Sequence, residues 1–295
     1  MDKLNAMAIF VRVVERGSFS AVARERQTSQ PTISKILKAL ESELGGKLIA
    51  RSTRQLSLTD EGQRYYAQCR QILAAVDNAE HSFQSGREQV AGSLRIGSSV
   101  SFGRLQIASR LPDFLARYPQ LDIDLQLNDQ NQDLVEEGLD VSLRIGELSD
   151  SSLIARRIGD TRRITVASAA YLAHRGEPQS PGQLAGHNCL QFNLLSSQNL
   201  WHYEKDGQRY SVRIKGNAQS NNSEAIREMV LGGLGIALSP VWLFAEDLKA
   251  GRVTAILPGY QTQSLPIHAV FPANRRQSAR VKAFVDYMSD ALLEL

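Results

Sequence analysis

Between Ser18 and Thr59 the chain runs as two short helices, a basic hairpin and the start of a further helix. No other feature of the 295 residues limits the fold as strongly. Two short helices followed by a two-stranded wing form a winged helix-turn-helix, a module that lays its second helix in the major groove of DNA. The second helix can be phased. At about 100° per residue from Ile33, the residues Ile36, Leu37, Leu40 and Leu44 stay within about 60° of one meridian. Pro31, Lys35, Lys38 and Ser42 fall on the opposite face. Ser29 suits the N-cap, and Pro31 sits in the first turn, where a missing N–H costs nothing.

An earlier helix over about 4–16 carries its own apolar stripe, Leu4, Met7, Ala8, Val11 and Val14. Gly17 is placed to end it and Ser18 to cap the next, whose Ala21, Val22 and Ala23 permit a close crossing. After Gly45-Gly46, Leu48-Ile49-Ala50 and Leu56-Ser57-Leu58 read as two short strands around a polar tip. Arg51 and Arg54 are then spaced to straddle backbone phosphates, which guanidinium forks match well. Charge agrees: residues 1–58 hold ten Lys/Arg against five Asp/Glu, and the whole net charge of +3 lies within residues 1–91. A positive surplus confined to one module suits a phosphate-facing surface.

Residues 1–89 resemble the N-terminal half of the LysR-type transcriptional regulators. The likeness rests on Ser18-Phe19-Ser20-Ala21-Val22-Ala23, Ser29-Gln30-Pro31-Thr32-Ile33-Ser34, Leu40-Glu41-Ser42-Glu43-Leu44-Gly45 and Leu58-Thr59-Asp60-Glu61-Gly62. Leu48-Ile49 departs from the more frequent Leu-Phe, exchanging an aromatic for an aliphatic residue. The resemblance implies base-edge contacts from Gln30, Pro31, Ser34 and Lys35. Their chemistry agrees, since Gln pairs adenine bidentately, Pro touches a thymine methyl and Lys reaches guanine. Ser29, Thr32 and Lys38 on the same helix, with Arg51 and Arg54 on the hairpin, complete the candidate DNA surface.

Thr59 suits an N-cap, with Asp60 and Glu61 in the first turn of a helix running to about Gly86. Tyr65/Tyr66, Cys69, Ile72/Leu73, Val76, Ala79 and Phe83 recur every three or four residues. A helix of about 28 residues is about 42 Å long. Its seam packs either on the chain's own body or on a second copy; paired recognition helices need such a spacer. The resemblance implies a dimerising linker helix and often a tetramer.

Gln89-Val90-Ala91-Gly92 is the expected hinge. Beyond it, Leu94–Gly97 reads as a strand, about 103–118 as a helix and 121–127 as a half-exposed strand. A short helix over about 132–137 and a strand at 141–145 follow. A βαβαβ order predicts a parallel sheet with helices on its faces. A second unit opens near Arg163–Ala167 and closes at Gly235–Leu238. The expected organisation is therefore multidomain: a helix-rich winged helix-turn-helix at 1–58, a linker helix and hinge at 59–91, and an α/β effector domain at 92–295. The resemblance implies that this last domain is two-lobed, like a periplasmic solute-binding protein. Lobe I then takes about 92–162 and 266–295, and lobe II about 163–265.

In open α/β sheets ligands sit beyond the carboxyl ends of the strands, near helix N-termini. Ser98, Ser99, Ser101 and Phe102 form the first such place and favour an anion; the serines equally suit simple caps. Arg144, Gly146 and Glu147 follow another strand, where Arg144 either pairs an anion or bridges Asp140 or Glu147. Ser220, Asn221 and Asn222 precede a helix, with capping by Asn222 the rival role.

Other chemistry finds no support. Gly232-Gly233-Leu234-Gly235 has the wrong surroundings for a dinucleotide loop. No phosphate-binding loop or nucleophile elbow occurs, and the five histidines lack metal-ligand spacing. Cys69 and Cys189 are isolated; Cys189 is either a buried structural thiol or a redox sensor. Two cysteines, no leader sequence and no run of about 18 apolar residues lead us to expect a cytoplasmic protein without membrane spans, metals or cofactors. The expected activity is sequence-specific transcriptional regulation, not catalysis. Its expected partners are a dyad-symmetric duplex, a small-molecule effector for which an anion is one candidate, a second copy and RNA polymerase. The rival is an α/β binding protein or enzyme carrying an accessory DNA module.

Overall fold

The computed structural model describes residues 2–51, 56–84, 90–130, 133–148, 150–194, 199–276 and 278–293, with the side chains of 51 and 77–84 outside that description. The chain divides into two compact bodies. One comprises residues 1–89 together with the excursion Asp133–Leu139, and the other the remaining residues from Val90 to Leu295.

The first body opens with helices α1 (Lys3–Arg16), α2 (Phe19–Glu25) and α3 (Gln30–Leu44). Each boundary is written locally. Asp2, Ser18 and Ser29 accept hydrogen bonds from the amides of Asn5, Ala21 and Thr32, and Gly17 and Gly45 end α1 and α3 in the left-handed conformation. Phe10, Val13, Val22, Ile33, Leu37 and Leu40 form the buried centre between these helices. The antiparallel wing, β1 (Ile49–Arg51) and β2 (Leu56–Leu58), leads into the linker helix α4 (Asp60–Gln84). Thr59 Oγ1 accepts from the Gly62 amide at 2.9 Å and donates to the Lys47 carbonyl, fixing the wing to α4. Gly62 is required there, because a Cβ would stand 2.0 Å from the Leu48 carbonyl oxygen. Along α4, Tyr65, Tyr66, Cys69 and Leu73 pack on the chain's own core, with the Phe10 ring 5.9 Å from Tyr65. The first half of the expected seam is thus occupied within the monomer, whereas Ile72 is exposed. Ala79 and Phe83 lie outside the described side chains, and Gln89 of the expected hinge outside the described residues.

The second body begins with β3 (Gly92–Ser98), the short helix α5 (Val100–Phe102) and α6 (Leu111–Arg117). The helix expected from 103 therefore starts three residues earlier. Its middle widens into a π-helical turn, Gly103–Ile107, then tightens at Ala108–Arg110. Pro112 has no N–H for the Ala108 carbonyl, so a regular ladder cannot continue through this point. Strands β4 (Leu121–Leu127), β5 (Val141–Ile145) and β6 (Ile154–Thr161) follow. No helix occupies 133–137; the chain makes a single turn, capped by the Asp133 carboxylate on the amides of Val135 and Glu136, which Gly138 at φ +60° ends before a helix can run. Gln132 of that expected helix is outside the described residues.

The next section holds β7 (Arg163–Ser168), α7 (Ala169–Arg175), β8 (Cys189–Phe192), β9 (Leu200–Lys205) and β10 (Gln208–Arg213). After these come β11 (Gln219–Ser220), α8 (Ser223–Leu231), β12 (Ile236–Pro240), α9 (Ala245–Lys249), β13 (Val253–Ile256) and β14 (Gln261–Thr262). Finally β15 (Leu265–Phe271) and α10 (Ala279–Ala291) return to the first sheet, whose order is β4-β3-β5-β15-β6. Its β3 runs parallel to β4 and β5, but β15 is antiparallel to both β5 and β6. The sheet expected to be parallel is therefore mixed, since the returning strand enters from the opposite end. The second five-stranded sheet, β11-β8-β12-β7-β13, is also mixed, and β10-β9-β14 form a small separate sheet.

Candidate functional site

Helix α3 presents a continuous polar front. Ser29, Gln30, Pro31, Thr32, Lys35 and Lys38 are exposed and Ser34 is half-buried, while Ile33, Leu37 and Leu40 anchor the back. Gln30, Ser34 and Lys38, spaced by four, line a groove with Ser18, Ser20, Lys47 and Ala50. The pose of this groove depends on one carboxylate. Glu41 accepts from the Leu48 amide at 3.0 Å, the Ile49 amide at 3.3 Å and Lys47 Nζ at 2.7 Å. Burial works against the charge on Glu41, yet the bonds from Lys47 and the two amides outweigh it and hold its pKa below the usual carboxylate value. Recognition helix and wing thereby share a single clamp. Arg54 and the side chain of Arg51 lie outside the described residues.

The second body contains a cavity of about 220 Å³ between its two five-stranded sheets. Its walls come from strand ends: Ser98 and Ser99 after β3, Asn128 to Gln130 after β4, and Ser142 to Ile145 on β5. The other lobe supplies Ser223, Ile226, Leu238 to Pro240 and Trp242. Of the residues expected here, Ser98, Ser99 and Arg144 line it. Ser101 and Phe102 do not; they are buried, and Phe102 instead stacks edge-on behind Trp242 with ring centroids 5.4 Å apart. Because the helix starts at Val100, these two residues are turned inward. Gly146 is also off the lining; its amide donates to the Pro266 carbonyl. Ser220 and Asn221 lie outside the lining, Ser220 Oγ accepting from the Asn222 amide.

Asn222 caps α8 through the Ala225 amide at 3.0 Å, and its Nδ2 donates to Asp129 at 2.6 Å. Asp129 also accepts from the Val100 amide at 3.0 Å. The anion expected at the start of α5 is thus supplied by the protein itself. Arg104 and Glu224, 2.6 Å apart, tie the same two segments. Asp140 is taken by Arg275 at 2.9 Å and does not pair Arg144.

Arg163, at the start of β7, was not apparent in the sequence as a cavity residue. Its Nε donates to the Gln263 carbonyl at 3.3 Å, and among the described residues no carboxylate lies within 4.0 Å of it. Burial pulls its pKa below the ordinary guanidinium value. Trp242 Nε1 is buried on the same cavity without an acceptor among the described residues. Asn128, Asp129 and Gln130 were not among the expected site residues; a polar run directly after an alternating strand is the sequence signal that could have pointed to this wall. Among the described residues no cluster of His, Cys, Asp or Glu is arranged to hold a metal, and no helix is long and apolar enough to cross a membrane.

Residues 4–63 match the family model for the bacterial regulatory helix-turn-helix protein of the lysR family, and residues 87–293 match the LysR substrate binding domain. An uncharacterized HTH-type transcriptional regulator of Haemophilus influenzae is 38% identical over 281 residues, covering 95% of this chain and 98% of that protein. An HTH-type transcriptional repressor of Pseudomonas aeruginosa is 34% identical, covering 100% and 93%. The structure of CrgA, a LysR-type transcriptional regulator from Neisseria meningitidis, superimposes with a TM-score of 0.63 at 34% identity, covering 98% of each chain. With a helix-turn-helix module and an effector-binding domain, this chain belongs to the LysR family of bacterial transcriptional regulators.

Proposed function

We propose that a small anionic molecule binds the interlobe cavity with its acidic group on Arg163, assisted by Arg144, and so controls operator binding by α3. One observation carries this assignment: a partly buried guanidinium on the interlobe cavity that, among the described residues, has a single backbone acceptor and meets no carboxylate. Unused donors in a low-dielectric wall favour an anionic partner. Ser98, Ser99, Ser239 and Trp242 Nε1 offer further polar contacts. In the first body, Gln30, Pro31, Ser34 and Lys35 read base edges. Ser29, Thr32, Lys38, Arg51 and Arg54 position the module on phosphates of a dyad-symmetric duplex bound by paired copies. The ligand acts only through its difference in affinity between two states of the protein. The setting is the cytoplasm, the output runs through RNA polymerase, and no substrate is turned over.

The test is a thermal-shift and Trp-fluorescence screen of the full chain with paired carboxylates and their neutral amides. Carboxylates stabilise the wild type and their amides do not, and Arg163→Ala removes the difference while leaving affinity for a selected duplex unchanged. Equal response to acids and amides refutes the anionic assignment.

A further inference from the structure

Between β4 and β5 the chain leaves the second body and comes back to it. The end of β4 delivers Asn128, Asp129 and Gln130 to the cavity, and β5 delivers Ser142 to Ile145. The intervening Asp133–Leu139 belongs to the first body by its contacts. Two consecutive side chains of α4 hold it. Arg70 donates to the Glu137 carbonyl at 2.8 Å and the Gly138 carbonyl at 3.3 Å, and Gln71 donates to the Val135 carbonyl at 3.1 Å. Gly138 has φ +60°, and a Cβ there would lie 2.9 Å from the Arg70 guanidinium carbon. The turn is also braced internally, by the Asp133 carboxylate on the amides of Val135 and Glu136 and by the Leu139 amide on the Leu134 carbonyl.

Both ends of this excursion are tied to the cavity walls. Asp140, the first residue back, is buried, pairs with Arg275 and accepts from the Arg95 amide at 2.9 Å. Upstream, Asp129 joins the start of α5 to Asn222. Leu139 alone separates Gly138 from Asp140, and three residues separate Asp129 from Asp133.

We propose that Arg70 and Gln71 are positioning residues that couple the cavity to the linker helix by holding the Asp133–Leu139 excursion. This rests on the cavity being the effector site. In energetic terms, the state of Asp129 and the state of α4 share a coupling free energy that exists only while these hydrogen bonds do.

Amide hydrogen exchange on the full chain tests it without a ligand, using wild type, Asp129→Asn, Arg70→Ala and the double variant. Asp129→Asn speeds exchange several-fold at 98–100 and 222–226 in both backgrounds. It also speeds exchange at 64–76 of α4, but only where Arg70 is intact. Arg70→Lys, which keeps one carbonyl contact, transmits an intermediate effect. An α4 response that is absent in the Arg70-intact chain, or equal in the Arg70→Ala background, overturns the proposal. The outcome is independent of whether carboxylates bind at Arg163, so failure of the anionic assignment and failure of the coupling are told apart.

Discussion

The carboxylate of Asp129 receives the side-chain amide of Asn222 at 2.6 Å, joining residues 93 apart in sequence and belonging to different lobes. Asn222 is at the same time the cap of α8. Removing it therefore breaks two things at once: a cap worth about 1 kcal/mol and an interlobe hydrogen bond to a charged group worth about 1.5–3 kcal/mol. Asn222→Ala should lower the calorimetric melting temperature of the effector domain while operator affinity without ligand stays within twofold. An unchanged melting temperature contradicts the double role.

Gly62 has no room for a side chain. Gly62→Ala forces a Cβ against the Leu48 carbonyl, and the junction between wing and α4 must shift, at about 1–3 kcal/mol. Gly46 meets nothing within 4 Å and serves as control. Chemical denaturation of both alanine variants should separate them clearly.

On α3 the two classes of contact separate by measurement. Gln30→Ala and Ser34→Ala relax base preference in a binding-site selection, each costing about 1–3 kcal/mol on the preferred sequence. Lys38→Ala weakens all sequences alike and reduces the salt slope by about 1. Selectivity preserved in both of the first two variants refutes the groove assignment. Arg54→Ala should behave as Lys38→Ala does.

Acid should loosen the second lobe through Asp247. This residue is fully buried and bound by Arg227 at 2.6 Å and Arg252 at 2.7 Å. Burial opposes its charge, but the two guanidinium partners prevail, and its pKa falls below the ordinary value. A carboxylate shifted downwards in the folded chain adds stability that is complete above about pH 4 and disappears as pH falls through the native pKa. Asp247→Asn should flatten the stability profile in that acidic window and destabilise the protein by about 3 kcal/mol at neutral pH, because two cations lose their partner. An unaltered acid limb excludes this origin.

Neither thiol should respond to oxidant or alkylating reagent in the native chain. Burial pushes Cys69 up to about 11 and Cys189 up to about 12, so thiolate is scarce at neutral pH. Both are fully enclosed, Cys189 with its Sγ on the Leu184 carbonyl. Modification with a chromogenic disulfide should proceed only at the rate of unfolding; rapid labelling of Cys189 restores the redox-sensor alternative.

What was legible in the sequence was local. Ser18, Ser29, Pro31, Gly17 and Thr59 mark helix ends through interactions three or four residues long, and the structure has those ends. The buried and exposed faces of α3 followed from one periodicity. The cavity was harder, because its walls are assembled by topology. Asp129 acquires its role from Val100 and Asn222, and Arg163 from a crossover that no spacing announces. Ser101 and Phe102 were assigned outward because the helix start was placed three residues late, a rotation of most of a turn. The stretch 133–137 looks helical in composition and Asp133 caps its first amides, but Gly138 in the left-handed conformation turns the chain back after a single turn.

The late return of β15 has a price in biosynthesis. It lies between β5 and β6, in the interior of the first sheet, yet follows β6 by more than a hundred residues. Until 265–271 emerge from the ribosome, β5 and β6 each present an unpaired margin of backbone donors and acceptors to the cell. Nascent or prematurely terminated chains should therefore depend on chaperones throughout the synthesis of the entire second lobe.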